Sequence, residues 1–265
     1  MRMKDKAGIV VGAGQTPGDT IGNGRATAIL LAREGAKVLL VDRDLKSAEE
    51  TAAMIAEQGG TAQCLAGDWT RAADCKAYAQ ACLAAWGRVD FLHNNVGIGA
   101  GDAPASRVSE EAFDRIMQVN LKGCLLSCQA VLPAMRRQQS GSIVNISSVA
   151  AIANPVNLSA YKISKAAMNA LGQELALNNA RHGIRVNTIM PGLMDTPMAI
   201  EGGAAARGID KAALRAARDQ RVPLRGKMGS AWDIAQAALF LHSEVACYIT
   251  AVVLAVDGGL SARVG

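Results

Sequence analysis

The sequence predicts a single α/β domain built on a doubly wound parallel sheet, and three observations carry that prediction. Short β-branched runs alternate with Ala-rich helical stretches along the whole chain, the pattern of parallel strands covered by helices on both faces. The length, 265 residues with half of them hydrophobic, suits one sizeable core made of Ala, Val, Leu and Ile, since aromatic residues are only 3%. A glycine-rich turn follows the first strand and an acidic residue ends the second. We therefore expect one domain over residues 1–265, with seven strands and helices on both faces of the sheet.

In chain order, strands are expected near Gly8–Val11, Lys37–Val41, Ala62–Leu65, Val89–His93, Ser142–Ser147, Arg185–Ile189 and Val252–Val256. Between them, Gly35 is placed to close a helix beginning near Gly24, and Ser230 with Asp233 forms a capping box that opens another. Residues 192–224 are long for a connection and carry Gly202-Gly203, Gly208 and Pro223, so this segment is expected to be a substrate lid or binding loop. There are no internal repeats or low-complexity tails.

The balance of 28 Lys plus Arg against 23 Asp plus Glu gives a diffuse charge of +5. No basic run interleaved with aromatics marks a nucleic-acid footprint. Apolar stretches are broken before the ~18 residues a membrane helix needs, and Ile9–Val11 is too short for a signal-peptide core. A soluble, cytoplasmic chain acting on a small molecule is the expectation. The six cysteines, Cys64, Cys75, Cys82, Cys124, Cys128 and Cys247, form no C-x-x-C and read as reduced structural thiols rather than metal ligands.

The stretch Gly12-Ala13-Gly14-Gln15-Thr16-Pro17-Gly18-Asp19-Thr20-Ile21-Gly22-Asn23-Gly24-Arg25 runs from the first strand into a helix. Glycines there let backbone amides close on a pyrophosphate, and the helix N-terminus adds its positive dipole end. Asp42 ends the next strand, 20 residues beyond Gly22. A carboxylate at that point accepts the ribose hydroxyls of an adenosine and repels a 2′-phosphate, which favours NAD; Arg43 beside it keeps NADP open as the lesser alternative.

Tyr161 and Lys165 stand four apart at the start of a helical stretch and share one helix face. A phenol is a poor acid–base catalyst at neutral pH, but a nearby ammonium favours the phenolate and moves it toward the working range. Thirteen residues earlier, Ser148 closes the strand Ser142-Ile143-Val144-Asn145-Ile146-Ser147-Ser148. At the carboxyl end of a parallel strand its hydroxyl would face the crevice and bond a substrate oxygen. His93, also at a strand end, reads as a packed histidine, and a Ser/His/Asp hydrolase would leave the glycine loop and Asp42 unexplained.

With these residues in place, the chain resembles the short-chain dehydrogenases/reductases of ordinary length, over essentially all of its residues. Ser148, Tyr161 and Lys165 correspond to that family's catalytic Ser, Tyr and Lys, and Asn120 in Val119-Asn120-Leu121-Lys122-Gly123 to its fourth catalytic residue. Asn94-Asn95-Val96-Gly97 is similar to the family's turn beside the cofactor, so Asn95, Val96 and Gly97 are implied cofactor contacts. Asp68, with Trp69 beside it, matches the acid that contacts the adenine. Pro191-Gly192 and then Thr196 match the segment that clasps the nicotinamide carboxamide, and Val256-Asp257-Gly258-Gly259 matches the C-terminal signature. The resemblance implies a Rossmann sheet in which Tyr exchanges a proton with the substrate oxygen, Lys holds the nicotinamide ribose and Asn supports proton exchange through water. It also implies a homotetramer, with the helices after Asn120 and around Tyr161 pairing across two-fold axes.

One departure stands out. The family's loop has three residues between its first two glycines, whereas nine separate Gly12 from Gly22 here, an insertion of six. Anchoring on Gly22-Asn23-Gly24 leaves Asp42 at its proper distance, and Gly12, Thr20, Ile21, Gly22 and Asn23 are the expected phosphate-loop contacts. The extended loop looks somewhat like that of the enoyl-reductase branch, but the four-residue spacing of Tyr161 and Lys165 points to carbonyl/alcohol chemistry. Met190, Met194 and Met198 recur at a spacing of four, as on a helix face, and border the lid with Leu193 and Ile200. With Ile98, Ser148, Val149, Val156, Leu193 and Met198 as the expected substrate pocket, the expected substrate is an uncharged secondary alcohol or ketone, cyclic ones among them. Two alternatives are a 3-oxoacyl-carrier-protein reductase and a non-catalytic dinucleotide-binding scaffold.

Overall fold

The computed structural model describes residues 1–153 and 157–263. Seven parallel strands form one sheet: β1 (Ala7–Val11), β2 (Lys37–Asp42), β3 (Thr61–Ala66), β4 (Phe91–Asn94), β5 (Gly141–Ile146), β6 (Ile184–Pro191) and, last in the chain, β9 (Val253–Val256). Their spatial order is β3-β2-β1-β4-β5-β6-β9. The chain builds outward from β1 to β3, then returns to lay β4 on the other side of β1. That reversal leaves a crevice beyond the carboxyl ends of β1 and β4, where open α/β sheets place their ligands. Each expected strand is present, with ends shifted by two residues or fewer.

β1 and β5 are buried along their full lengths, as strands covered on both faces must be. On one face, α3 (Ala72–Trp86), α5 (Gly123–Gln138) and α6 (Ser159–Asn179) enclose a core that includes Ile9, Val11, Leu92, Val131 and Met168. On the other, α1 (Asn23–Arg33) and α9 (Ala231–His242) pack over Val10, Leu40 and Phe91. α2 (Leu45–Ala56) and the short α4 (Glu110–Met117) complete the layers. Gly35 follows α1 at φ +96° and the Ser230–Asp233 capping box opens α9, both as expected.

The 192–224 segment is ordered. It contains β7 (Met194–Asp195), paired with β8 (Gly229–Ser230), then α7 (Pro197–Arg207) and α8 (Lys211–Asp219). Gly202 and Gly203 lie inside α7, and Gly208 stops it in the left-handed region at φ +62°. The two helices share a small core of Ile200, Ala204, Leu214, Val222 and Met228. The methionines do not form a helix face: Met190 lies in β6, Met194 in β7 and Met198 in α7, so their spacing of four spans three elements. Among the described residues, no helix is long and apolar enough to cross a membrane, and no group of His, Cys, Asp and Glu side chains is placed to hold a metal.

Candidate active site

At the end of β1 the chain turns on Gly12, at φ +79°, and the N–H groups of Gly12 and Ala13 both donate to the Val41 carbonyl. A Cβ on Gly24 would lie 2.0 Å from the Gly12 carbonyl oxygen, so α1 can start this close to the strand only with glycine there. Arg25 is 4% exposed and runs beneath the turn, donating to Thr51 Oγ1 (2.9 Å) and the Ser47 carbonyl (2.9 Å) and pairing with Glu50 (3.0 Å). Thr51 in turn donates to the Ala13 carbonyl at 2.8 Å. Gln15 spans the base of the insertion, its amide oxygen accepting from Gly22 N–H (2.8 Å) and its nitrogen donating to the Thr20 carbonyl (3.3 Å). Gly22 precedes α1 without any side-chain cap, whereas Asp44, Ser109 and Asp210 cap α2, α4 and α8. Bare N–H groups at a helix N-terminus, a glycine cradle and the buried, unpartnered Thr20 Oγ1 fit a dinucleotide pyrophosphate.

Asp42 accepts from Gly14 N–H (2.9 Å) through one oxygen and from Asp44 N–H (3.1 Å) through the other. A carboxylate has about four acceptor positions, so two remain for ribose hydroxyls. Arg43 beside it is exposed. Asn95 holds the end of β4 against the loop, its amide donating to the Gly12 carbonyl at 3.1 Å, and a Cβ on Gly12 would touch Val96. Gly97 leaves room for Lys165: a Cβ there would come 2.9 Å from Nζ. Gly192 continues β6 with its N–H on the Val256 carbonyl (3.0 Å), Pro191 precedes it, and Thr196 introduces α7. Asp68 is exposed, but Trp69 departs from expectation. Its indole is 3% exposed and packs under Gly123 of α5, so the side chain belongs to the core and not to the crevice.

The four reacting candidates converge at the carboxyl end of β5. The Ser148 hydroxyl accepts from Ala150 N–H (3.1 Å) and stands beside the Tyr161 phenol, whose pKa it lowers. Lys165 Nζ lies 5.7 Å from the Tyr161 ring centre and donates to the Ile146 carbonyl at 2.8 Å. Ser147, one residue before Ser148, points the other way and donates to the Lys165 carbonyl at 2.9 Å, clamping α6 to β5. Burial pushes the Lys165 ammonium down to about 8. The expected lowering of Tyr161 is not achieved by the protein's own groups: burial raises the phenol, and Ser148 opposes that rise.

Asn120 sits in a single π-helical turn, Gln118–Lys122, between α4 and α5. Such turns recur at functional sites because they free backbone groups and redirect side chains. Fully buried, Asn120 accepts from Ile98 N–H (2.8 Å), donates to the Ile98 carbonyl (2.9 Å) and donates to Ser164 Oγ (3.0 Å). Ser164 donates to the Tyr161 carbonyl at 2.8 Å, which links Asn120 to the tyrosine's own helix. Sequence reasoning missed Asp102. Its carboxylate accepts from Tyr161 N–H (2.7 Å), Ala160 N–H (3.1 Å) and Ala103 N–H (2.8 Å), and so caps α6 from a loop 59 residues away. α6 has no local side-chain cap, and that gap before Tyr161 was the available signal.

Ile98 is half-buried beside Asn120, Leu193 leans on the α7–α8 core, and Met198 is 58% exposed on α7. Val149 is corrected: it is 8% exposed and packs with Ala151 and Met190 beneath the surface. Val156 lies outside the described residues. Gly99 and Leu158 were not anticipated, yet a Cβ on Gly99 would meet both Tyr161 Cδ2 and Leu158 Cδ2, which puts them beside the phenol ring.

A doubly wound sheet with a glycine cradle, a carboxylate at the end of β2 and a Ser–Tyr–Lys cluster defines an oxidoreductase that works with a nicotinamide dinucleotide. Comparison with known proteins narrows the class. The family model described as enoyl-(acyl carrier protein) reductase matches residues 19–261. Levodione reductase of Leifsonia aquatica is 35% identical over 265 residues, covering 98% of this chain and 96% of that protein. A crystal structure of a levodione reductase superposes with a TM-score of 0.93 at 33% identity over 99% of this chain and all of that one. Cyclopentanol dehydrogenase of a Comamonas strain is 34% identical over 99% of each chain, and NAD+-bound xylitol dehydrogenase superposes with a TM-score of 0.89 at 30% identity over 98% of this chain and 100% of that one. The chain belongs to the short-chain dehydrogenase/reductase family.

Proposed function

We propose that this protein is an NAD(H)-dependent oxidoreductase that interconverts a secondary alcohol and a ketone on a small, uncharged substrate. The observation that carries the reading is the Tyr161 phenol set between Ser148 and Lys165, whose Nζ is 5.7 Å from its ring centre, at the crevice that the glycine cradle and Asp42 border. Tyr161 passes a proton to or from the substrate oxygen, and Ser148 donates to that oxygen as charge develops on it. Lys165 holds the nicotinamide ribose, and Asn120 supports proton exchange with solvent. When bound, the nicotinamide supplies the hydride acceptor or donor.

Asp42 supports NAD over NADP, as does the NAD+-bound xylitol dehydrogenase relative. Levodione reductase and cyclopentanol dehydrogenase are named for a dione and a cyclic alcohol, and the apolar surroundings of Tyr161 suit such compounds. The resemblance supports a homotetramer, which light scattering at micromolar concentration would refute by finding a monomer.

The test is oxidation of a panel of secondary alcohols with NAD+ and NADP+ in parallel, for wild type and Tyr161→Phe. Turnover with NAD+ should fall about 10²- to 10⁴-fold in the variant while dinucleotide affinity changes little. Near-normal rates in the variant would end the proposal. An acetoacetyl thioester with NADPH belongs in the panel, because preference for that pair would instead favour the carrier-protein reductase.

A further inference from the structure

The insertion in the phosphate loop is not accounted for by binding a pyrophosphate, since glycine loops without it do so. In this fold it reaches the α7–α8 unit. A Cβ on Gly18 would come 2.6 Å from Glu201 Cγ and 2.9 Å from Pro197 Cβ, so the loop lies flat on the start of α7. Asp19 N–H donates to Glu201 Oε1 at 3.3 Å. From α8, Lys211 Nζ pairs with Glu201 Oε2 and stands 3.6 Å from Asp19 Oδ2. The Glu201 side chain is only 13% exposed, enclosed between loop and lysine.

Two carboxylates on opposite elements share one ammonium here. Without the lysine they would face each other as like charges and push the loop off α7. One turn further along α8, on the same face, Arg215 pairs with Asp195 at 3.2 Å. Thus α8 holds two segments by two cations: the inserted loop through Lys211, and through Arg215 the Pro191–Thr196 stretch that leads into α7. In the reading above these two segments both contact the dinucleotide.

We infer that Lys211 is a positioning residue for the dinucleotide, fastening the inserted phosphate loop to the α7–α8 unit through Asp19 and Glu201 so that the two must part before the dinucleotide can exchange. The inference rests on the dinucleotide reading of the proposed function. It gives the insertion a role in retaining cofactor between turnovers, separate from the chemistry at Tyr161.

The experiment is stopped-flow release of NADH, followed by its fluorescence, from wild type, Lys211→Met, Lys211→Arg and Gly18→Val. Release should quicken about two- to fivefold in Lys211→Met, as for loss of a partly exposed ion pair. Lys211→Arg should restore much of the slow rate. Gly18→Val, which wedges the loop from α7 without removing charge, should release about fivefold faster or more. Raising salt from about 20 mM to about 0.5 M should speed release more from wild type than from Lys211→Met, because the variant has lost the Lys211 tie and keeps only the Arg215–Asp195 pair and the dinucleotide's own charge to be screened. A merely structural lysine would not produce that difference in salt response. Unchanged release in Lys211→Met and Gly18→Val, or a salt dependence as steep in Lys211→Met as in wild type, would overturn the inference alone. Failure of wild type to bind NADH at all would overturn it together with the dinucleotide reading.

Discussion

Asp102→Ala removes a single carboxylate from a loop and leaves three backbone N–H groups without their acceptor: those of Ala103, Ala160 and Tyr161. Charge-assisted hydrogen bonds of this kind contribute about 1.5–3 kcal/mol each when buried, and helix N-caps typically about 1 kcal/mol. The site is only half-buried, so water will re-solvate part of the set, and a net loss of about 2–3 kcal/mol is expected. For a chain of this size each kcal/mol lowers Tm by about 2–4 °C, which puts the fall at roughly 5–10 °C by calorimetry. The effect on rate should be larger than that fall implies. Tyr161 sits in the first turn of α6, and a displacement of about 1 Å at a reacting group costs about a hundredfold. We therefore expect kcat for the best alcohol, counted per NADH-binding site, to drop about 30- to 100-fold, with dinucleotide affinity within twofold of wild type. Asp102→Asn keeps one carbonyl acceptor and should fall between. If Tm drops as predicted while kcat per binding site stays within twofold, Asp102 is a cap and nothing more, and the positioning argument fails.

Four further outcomes follow from the same geometry. Gly24→Ala would set a methyl 2.0 Å from the Gly12 carbonyl, and titration calorimetry should find NADH affinity reduced at least about tenfold. Asp42→Asn should raise kcat/KM for NADP+ relative to NAD+ by about tenfold, by removing the charge that repels a 2′-phosphate; an unchanged ratio would separate Asp42 from cofactor choice. Burial holds His93 neutral, with its pKa pushed down to about 3 from an ordinary 6.5. The unfolded chain therefore binds the extra proton as pH falls from 6.5 toward 3, stability is lost across that window, and the loss approaches about 4–5 kcal/mol. His93→Leu should unfold at lower pH than wild type in an acid titration followed by circular dichroism. Lys165, depressed to about 8, gains stability as pH rises from 8 toward 10.5, so at pH 7 its buried ammonium opposes folding by about 3 kcal/mol. Lys165→Met should abolish turnover yet unfold at an equal or higher temperature, and a clear fall in Tm would contradict that account.

The sheet was legible because each strand is a short run rich in apolar residues between helical stretches, unbroken in β1 and β9 and interrupted by single polar residues such as Gln63 and Asn145 elsewhere, and that pattern does not depend on what the strand packs against. The places of Asp42 at the end of β2 and Gly24 at the start of α1 were legible for a similar reason: they follow from distance along one βαβ unit. Errors came where a side chain's direction is decided beyond the end of a regular element. Trp69 follows β3 and Val149 follows β5, and in both cases the chain leaves the strand so that alternation no longer says which side faces the crevice. The methionine spacing misled because a period of four carries meaning only within one helix, and Met190, Met194 and Met198 occupy three elements. The uncapped start of α6 signalled that an acceptor was needed but not which one, because Asp102 lies 58 and 59 residues from Ala160 and Tyr161 and only the tertiary fold brings them together. The state of Tyr161 was misjudged because helix spacing reports which groups are neighbours but not how much water they lose.

The π-helical turn explains a regularity in the side chains around it. Ile116, Asn120, Cys124 and Cys128 recur every four residues and all are fully buried. On an uninterrupted α-helix, advancing about 100° per residue, the last of these would have rotated about 120° away from the first. One residue absorbed in a wider turn removes nearly all of that drift, so a single rod keeps one inward stripe: Ile116, then the polar Asn120, then the thiols beside Asn145. Removing one residue from 118–122 would therefore do more than shorten a helix. It would rotate α5 against the sheet by more than a quarter turn, so that Asn120 and Cys128 could no longer both face inward.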